Sequence, residues 1–171
     1  MAFPGRTAVI PTPIVKDNFV FVTASYGVGC KLVEIKPGNM PTEVYANTTM
    51  KNHHGGVILV GEHLYGYSDG IGWLCMEFKT GKQVWAERSK LGKGAVGYAE
   101  GMLYCVDEGS GKVVLAEASP ANGWVEHGNF KLDPQSTIRS PSGRIWTHPV
   151  VSNGKLYLRD QDLIYCYDVK Q

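Results

Sequence analysis

Leu64 to Trp85 reads LYGYSDGIGWLCMEFKTGKQVW. It parses as strand, turn, strand, turn and the start of a third strand, with Ser68-Asp69-Gly70 as the first connection. Weaker copies of this unit flank it. Apolar pairs follow a polar turn at Val20-Phe21, Leu64-Tyr65, Leu103-Tyr104 and Leu156-Tyr157. A short apolar strand precedes each turn: Ile14-Val15, Val57 to Val60, Ala95 to Tyr98 and Val150-Val151. A further strand ends at an acid each time (Glu34, Glu77, Glu117, Asp168), in successive steps of 43, 40 and 51 residues. A period of roughly 40–45 residues with several strands per unit is the mark of a β-propeller. A lone antiparallel sheet with two apolar faces cannot bury both, and stacking twisted sheets around an axis does.

Composition agrees with a folded, strand-rich chain. Of 171 residues, 43% are hydrophobic and 19% charged, and 21 glycines accompany nine tyrosines and four tryptophans. That mixture suits strands joined by tight turns. A net charge of +1 gives no electrostatic case for nucleic acid. No apolar run approaches ~18 residues, so no membrane span is expected. The N-terminal MAFPGRTAVIPTPIV is a poor secretory signal, broken by prolines. Cys30, Cys75, Cys105 and Cys166 lack the close pairing of a zinc site and are expected to be buried thiols.

The expected units are about 8–49, 50–91, 93–132 and 144–171. In the first, Cys30 to Lys36 is followed by an outer strand near Glu43 to Ala46. Gln83 to Ala86 is outermost in the second, and either Trp124 to His127 or Asn129 to Leu132 in the third. Asp133 to Gly143, DPQSTIRSPSG, reads as an exposed loop, and Asn153-Gly154 as a two-residue hairpin turn. The fourth unit ends at Gln171, where a fourth strand would start, so three strands are expected there. The fold class is all-β, with about four antiparallel blades.

Cys75 to Trp85, CMEFKTGKQVW, resembles the tryptophan-docking motif A-x-D-x-x-T-G-x-x-x-W of the quinoprotein (PQQ-binding-like) β-propeller repeats. Thr80, Gly81 and Trp85 match in register, Cys75 stands for the small residue and Glu77 for the acid. Unit one keeps Glu34 and Gly38 without a docking Trp; unit three keeps Ala116-Glu117, with Trp124 one place early; unit four keeps Cys166-Tyr167-Asp168. The resemblance implies that the Trp packs on a glycine turn of a neighbouring blade. It also implies rings of seven or eight blades and proteins often exported from the cytoplasm. Quinone-dependent dehydrogenases of this fold hold PQQ over an adjacent Cys-Cys disulfide, with calcium on Glu, Asn and Asp. No adjacent cysteine pair occurs here, so neither PQQ nor calcium is expected.

In this fold the start of each innermost strand lines the channel mouth, which selects Thr12, His53, His54, Lys93 and His148. Imidazoles from two units could ligate a metal. No second-shell carboxylate is evident beside them, and solvated or hydrogen-bonded histidines are the competing reading. The recurrent acids fall in separate blades and read as turn caps, not a catalytic set. Arg159-Asp160 with Asp162 reads as a surface ion pair. No nucleophile elbow, P-loop or zincin motif occurs.

About four blades can close alone, belong to a longer chain, or pair with a second copy. The last is expected: a homodimer with unit four of each chain on unit one of the other. The segment Thr7 to Ile10 would supply the missing outer strand. The expected function is a non-enzymatic scaffold that binds a protein or ligand through rim loops and channel mouth. The alternative is a quinoprotein-like alcohol or sugar dehydrogenase, or part of one.

Overall fold

The computed structural model describes residues 3–5 and 7–170. Residues 1, 2 and 6, part of the stretch read for a leader, and 171, the expected end of the fourth unit, lie outside the described residues. Sheet one comprises β1 (Ile14–Lys16), β2 (Phe19–Ala24), β3 (Gly29–Lys36) and β4 (Met40–Asn47). Sheet two comprises β5 (Val57–Val60), β6 (His63–Ser68), β7 (Gly72–Glu77) and β8 (Gln83–Glu87). Sheet three comprises β9 (Gly94–Ala99), β10 (Met102–Asp107), β11 (Lys112–Glu117) and β12 (Glu126–Lys131). Sheet four has three strands, β13 (Val150–Ser152), β14 (Lys155–Asp160) and β15 (Leu163–Asp168). Each is an antiparallel meander in chain order. No described residue is helical, so no helix is long and apolar enough to cross a membrane.

Local chemistry sets these elements. Asn153 (φ 51°) and Gly154 (φ 72°) both take positive φ between β13 and β14. That turn hand matches strand twist, which is why Asn-Gly closes the hairpin. In sheets one to three the register between third and outer strand slips at the same step, after Leu32, Cys75 and Leu115. Such a bulge twists the outer strand away from flat edge pairing. The third outer strand, Glu126–Lys131, overlaps both of the ranges read from sequence.

The second-strand registers make the four sheets equivalent. Val20, Leu64, Leu103 and Leu156 correspond, pairing with Val33, Met76, Ala116 and Tyr167. Phe21, Tyr65, Tyr104 and Tyr157 are the next residues and point to the opposite face. Every internal interface then has the same polarity. The Phe21 face of sheet one, with Cys30 and Leu32, packs on Leu64, Leu74 and Met76 of sheet two. The Tyr65 face of sheet two, with Trp73 and Cys75, packs on Leu103, Cys105 and Val114 of sheet three. The Tyr104 face of sheet three, with Val106 and Val113, packs on Leu156 and Leu158 of sheet four. Innermost strands follow one another, β1 on β5, β5 on β9 and β9 on β13. Among the described residues, no strand of sheet four meets one of sheet one, so the chain is an open arc.

Three expectations need correction. Cys30, Cys75 and Cys105 are buried, but Cys166 is exposed, because it lies on the face of sheet four that no further sheet covers. Asp160 is fully buried, not part of a surface pair: Arg139 Nη2 lies 2.6 Å from its Oδ2, and the Ser136 amide donates to the same oxygen at 3.0 Å. The 133–143 loop is exposed over most of its length, yet it is anchored there, with Ser136 Oγ also donating to Asp162 at 2.6 Å. The docking geometry differs as well. Tyr45, opposite Leu32, holds the position that Trp85 holds opposite Cys75, and the equivalent in sheet three is Gly128, not Trp124.

Candidate functional site: the rim at the start of the innermost strands

The segments leading into β5, β9 and β13 converge with the turns after β2, β6 and β10. Buried Asn52 shapes the first of these segments. Its Nδ2 donates to the carbonyls of Gly56 (3.0 Å) and Tyr67 (2.9 Å), and its Oδ1 accepts from the Gly56 amide (3.1 Å). This holds His53 and His54 against each other, ring centroids 5.0 Å apart.

Two polar chains result. In one, Lys93 Nζ lies 2.8 Å from Asp69 Oδ1 and 3.1 Å from His53 Nδ1. Asp69 Oδ2 accepts from Ser25 Oγ, and Tyr26 Oη lies 3.2 Å from His53 Nε2. An ammonium can only donate, so His53 Nδ1 accepts and the ring is neutral there. Its pKa is lowered accordingly, by burial first, then by Lys93 and His54, against an opposing pull from Asp69. Burial would raise the Asp69 carboxyl, but its hydrogen bonds from Lys93 and Ser25 outweigh that and hold it below the usual range. In the other chain, His54 Nε2 lies 2.8 Å from Glu108 Oε2, and His148 Nε2 donates to the His54 carbonyl at 2.7 Å. The Trp146 ring meets His54 edge-on at 5.7 Å.

The five channel-mouth residues read from sequence therefore share one rim. His53 and Lys93 are bonded, His54 and His148 are bonded, and Thr12 lines a cavity of ≈ 230 Å³ with His54 and His148. The absence of a nearby carboxylate is overturned: Asp69 and Glu108 stand beside the histidines. Both occupy the first position after a second strand, where Ser25 and Gln161 stand in sheets one and four. Aligning the repeats on that strand, instead of on the acid of the third, would have revealed them.

The recurrent acids lie apart from this rim. Glu77 Oε2 accepts from Thr80 Oγ1 at 2.5 Å, and Thr80 Oγ1 in turn accepts from the Lys82 amide. Glu34 accepts from Asn18, Glu117 from Asn122 and Asp168 from Lys155. They hold side chains of their own sheet, where direct caps on turn backbone were expected. Trp85 Nε1 donates to the Ser119 carbonyl of sheet three at 2.9 Å. Gly81 lies under Tyr45 and Asn47 of sheet one, and Asn47 Nδ2 donates to the Gly81 carbonyl at 3.2 Å.

The residues present do not suit a calcium–quinone centre. Cys30 and Cys105 lie in cores of different sheets, and burial pushes the Cys30 thiol up to about 11, partly offset by a backbone hydrogen bond to Met50. Asp69 is engaged by Lys93 and Ser25, whereas Glu108 lies against His54 without hydrogen-bond geometry. Among the described residues no group of three or more His, Cys, Asp or Glu is arranged to hold a metal ion.

No family model and no curated protein sequence matches the chain. Solved structures do. BamB from Moraxella catarrhalis superposes with a TM-score of 0.64 at 14% identity, over 92% of this chain and 43% of that one. The computationally designed Ika8 protein gives 0.66 at 9% identity, over 98% and 48%. The computationally designed Ika4 protein gives 0.62 at 9%, over 99% and 96%. The chain thus spans less than half the length of BamB and Ika8, and nearly all of Ika4. Identities this low carry the fold and nothing of activity: the chain is an arc of β-propeller blades.

Proposed function

We propose that the chain is a non-enzymatic propeller scaffold that binds a polypeptide partner through the rim formed by Tyr26, His53, His54, Asp69, Lys93 and Glu108. One observation carries this reading: partly buried ionisable groups from three sheets are cross-linked at this end. At the other end, Glu34, Glu117 and Asp168 each bond within their own sheet, and a single ion pair, Lys16 with Glu62, joins sheets one and two among the described residues. A rigid frame that displays donors and acceptors on short loops is suited to recognition. Rim groups of both signs favour a partner that offers both, as peptide backbone does.

The test is an NMR titration of the full chain with short acidic, basic and neutral peptides. Shifts are expected at His53, His54, Asp69 and Lys93 with at least one class, and Lys93→Met should weaken that binding at least tenfold. Shifts confined to the outer strands β4, β8 and β12 would overturn the reading. So would reduction of a redox dye by an alcohol or sugar after PQQ and calcium are added, which would install the dehydrogenase alternative.

A further inference from the structure

The two ends of the arc are unlike. Sheet one leaves its Val20 face uncovered and sheet four its Tyr157 face, so the ends are the two halves of the interface already used three times within the chain. Equivalent positions show what each lacks. Ile164 pairs with Arg159 as Cys30 pairs with Thr23, Trp73 with Tyr67 and Val113 with Val106. Cys30, Trp73 and Val113 are all buried, whereas Ile164 is 75% exposed. Tyr157 is 40% exposed, against 1% for Phe21 and Tyr65. On the other end, Val15 pairs with Val20 as Leu59 pairs with Leu64, and Val15 is 68% exposed. That face, with Val22, Val33 and the aliphatic stem of Lys31, whose Nζ lies 2.8 Å from Glu43 Oε2, floors a depression of ≈ 320 Å³ edged by Phe3.

We propose that a second copy of this chain covers both ends. The Tyr157 face of each copy seats on the Val20 face of the other, and two such contacts close one C2 ring. The contact is heterologous but closes after two copies, so no apolar face remains. Area agrees. The sheet-four strands, of three, six and six residues, give a face of about 240 Å². Four such faces come to about 950 Å² before side-chain relief is added, close to the ~1,000 Å² that a specific interface should clear.

Outer strands β4, β8 and β12 each directly precede the innermost strand of the next sheet. The segment Thr7 to Ile10 holds that place in chain order before β1, but it does not supply the missing outer strand: Ile10 lines the inner-rim cavity with Thr12, His54 and His148 of its own copy, and only residues 11–13 separate it from β1. The rim is completed. Within the chain, the turn after each second strand contacts the lead-in to the next sheet: Tyr26 with His53, Asp69 with Lys93, and the Glu108 carbonyl with the Ile145 amide. The same step brings Gln161 of one copy to Thr12 of the other. The inference deepens the scaffold reading, because one chain carries only half of that rim. It is read from mass and thiol exposure, so its failure would not be confused with a failure to bind peptide.

Sedimentation or native mass measurement of the full chain is expected to show a dimer. Ile164→Glu and Val15→Glu change residues exposed in the single chain, so each variant should fold, as circular dichroism will check, and run as a monomer. Mixing the two should restore a dimer, since one contact in the mixed pair is intact. Cys166, the exposed thiol of the single chain, should resist a thiol reagent in wild type and react in either variant. A wild-type monomer with reactive Cys166 would overturn the proposal and assign both faces to another occupant, such as further blades of a longer chain. Dimerisation of either variant alone would also overturn it, because that requires like faces to meet, as would open-ended filaments.

Discussion

Replacing Asp69 by Asn keeps the shape of the rim and removes one charge. Asp69 and Lys93 side chains are 30% and 27% exposed, so their pair is neither a surface bridge nor a buried one. Hydrogen bonds to charged groups contribute about 1.5–3 kcal/mol and exposed pairs about 0–1 kcal/mol. The intermediate setting places the loss at about 1–2 kcal/mol at neutral pH, or about 2–8 °C in Tm for a chain of this size. The pH dependence has a definite sign. The Asp69 pKa is lowered in the folded chain, so its contribution is present above 3.8 and is lost as pH falls through the folded value. The His53 pKa is lowered from 6.5, so its neutral ring favours folding above 6.5, and stability is lost as pH falls from there to the folded value. Asp69 pulls His53 upward, so the variant should titrate His53 at lower pH still. The stability gap between wild type and variant should therefore widen on acidification below 6.5 and close again below 3.8. Urea unfolding at fixed protein concentration and NMR titration of His53 measure both. A variant within ~0.5 kcal/mol of wild type, as for an ordinary surface change, or with unmoved His53, would refute the coupling of the rim.

Trp85→Ala removes a half-buried indole that bridges sheets two and three; about 2–4 kcal/mol should be lost in urea unfolding, and Trp85→Phe should recover most of it. Arg139→Met leaves the fully buried Asp160 without its cation, and should cost about 3–5 kcal/mol; adding Asp160→Asn should restore part of that loss. Gly81 sits at φ 69°, and a Cβ there would stand 2.6 Å from Asn47 Nδ2 and 2.7 Å from the Tyr45 ring, so Gly81→Ala should lower stability by about 1–3 kcal/mol in the same assay.

The repeat was legible because its signals are local. Alternation of apolar residues and the Asn153-Gly154 turn need no knowledge of neighbours, and they located the strands of all four sheets. What escaped depends on contacts between sheets. Asp69 read as a turn residue until the lead-in holding Lys93 was placed beside it. Asp160 read as solvated because Arg139 reaches it from a loop without period. Tyr45 was missed as the counterpart of Trp85 because β3 and β4 run on past Glu34 before they turn, so Tyr45 stands 11 residues after its acid where Trp85 stands 8 after Glu77. Cys166 follows the same strand pattern as Cys75, and only the open end of the arc leaves it exposed.

The uniform polarity of the interfaces between sheets has an evolutionary corollary. Because every unit offers the same two surfaces in the same order, duplicating or excising one whole unit leaves the termini of the array as they were. Variation in whole-unit steps is therefore tolerated by the architecture, and only the curvature needed to join the ends limits the number. A gain or loss that cuts inside a unit has no such freedom, since it would narrow the sheet and leave part of the neighbouring faces uncovered.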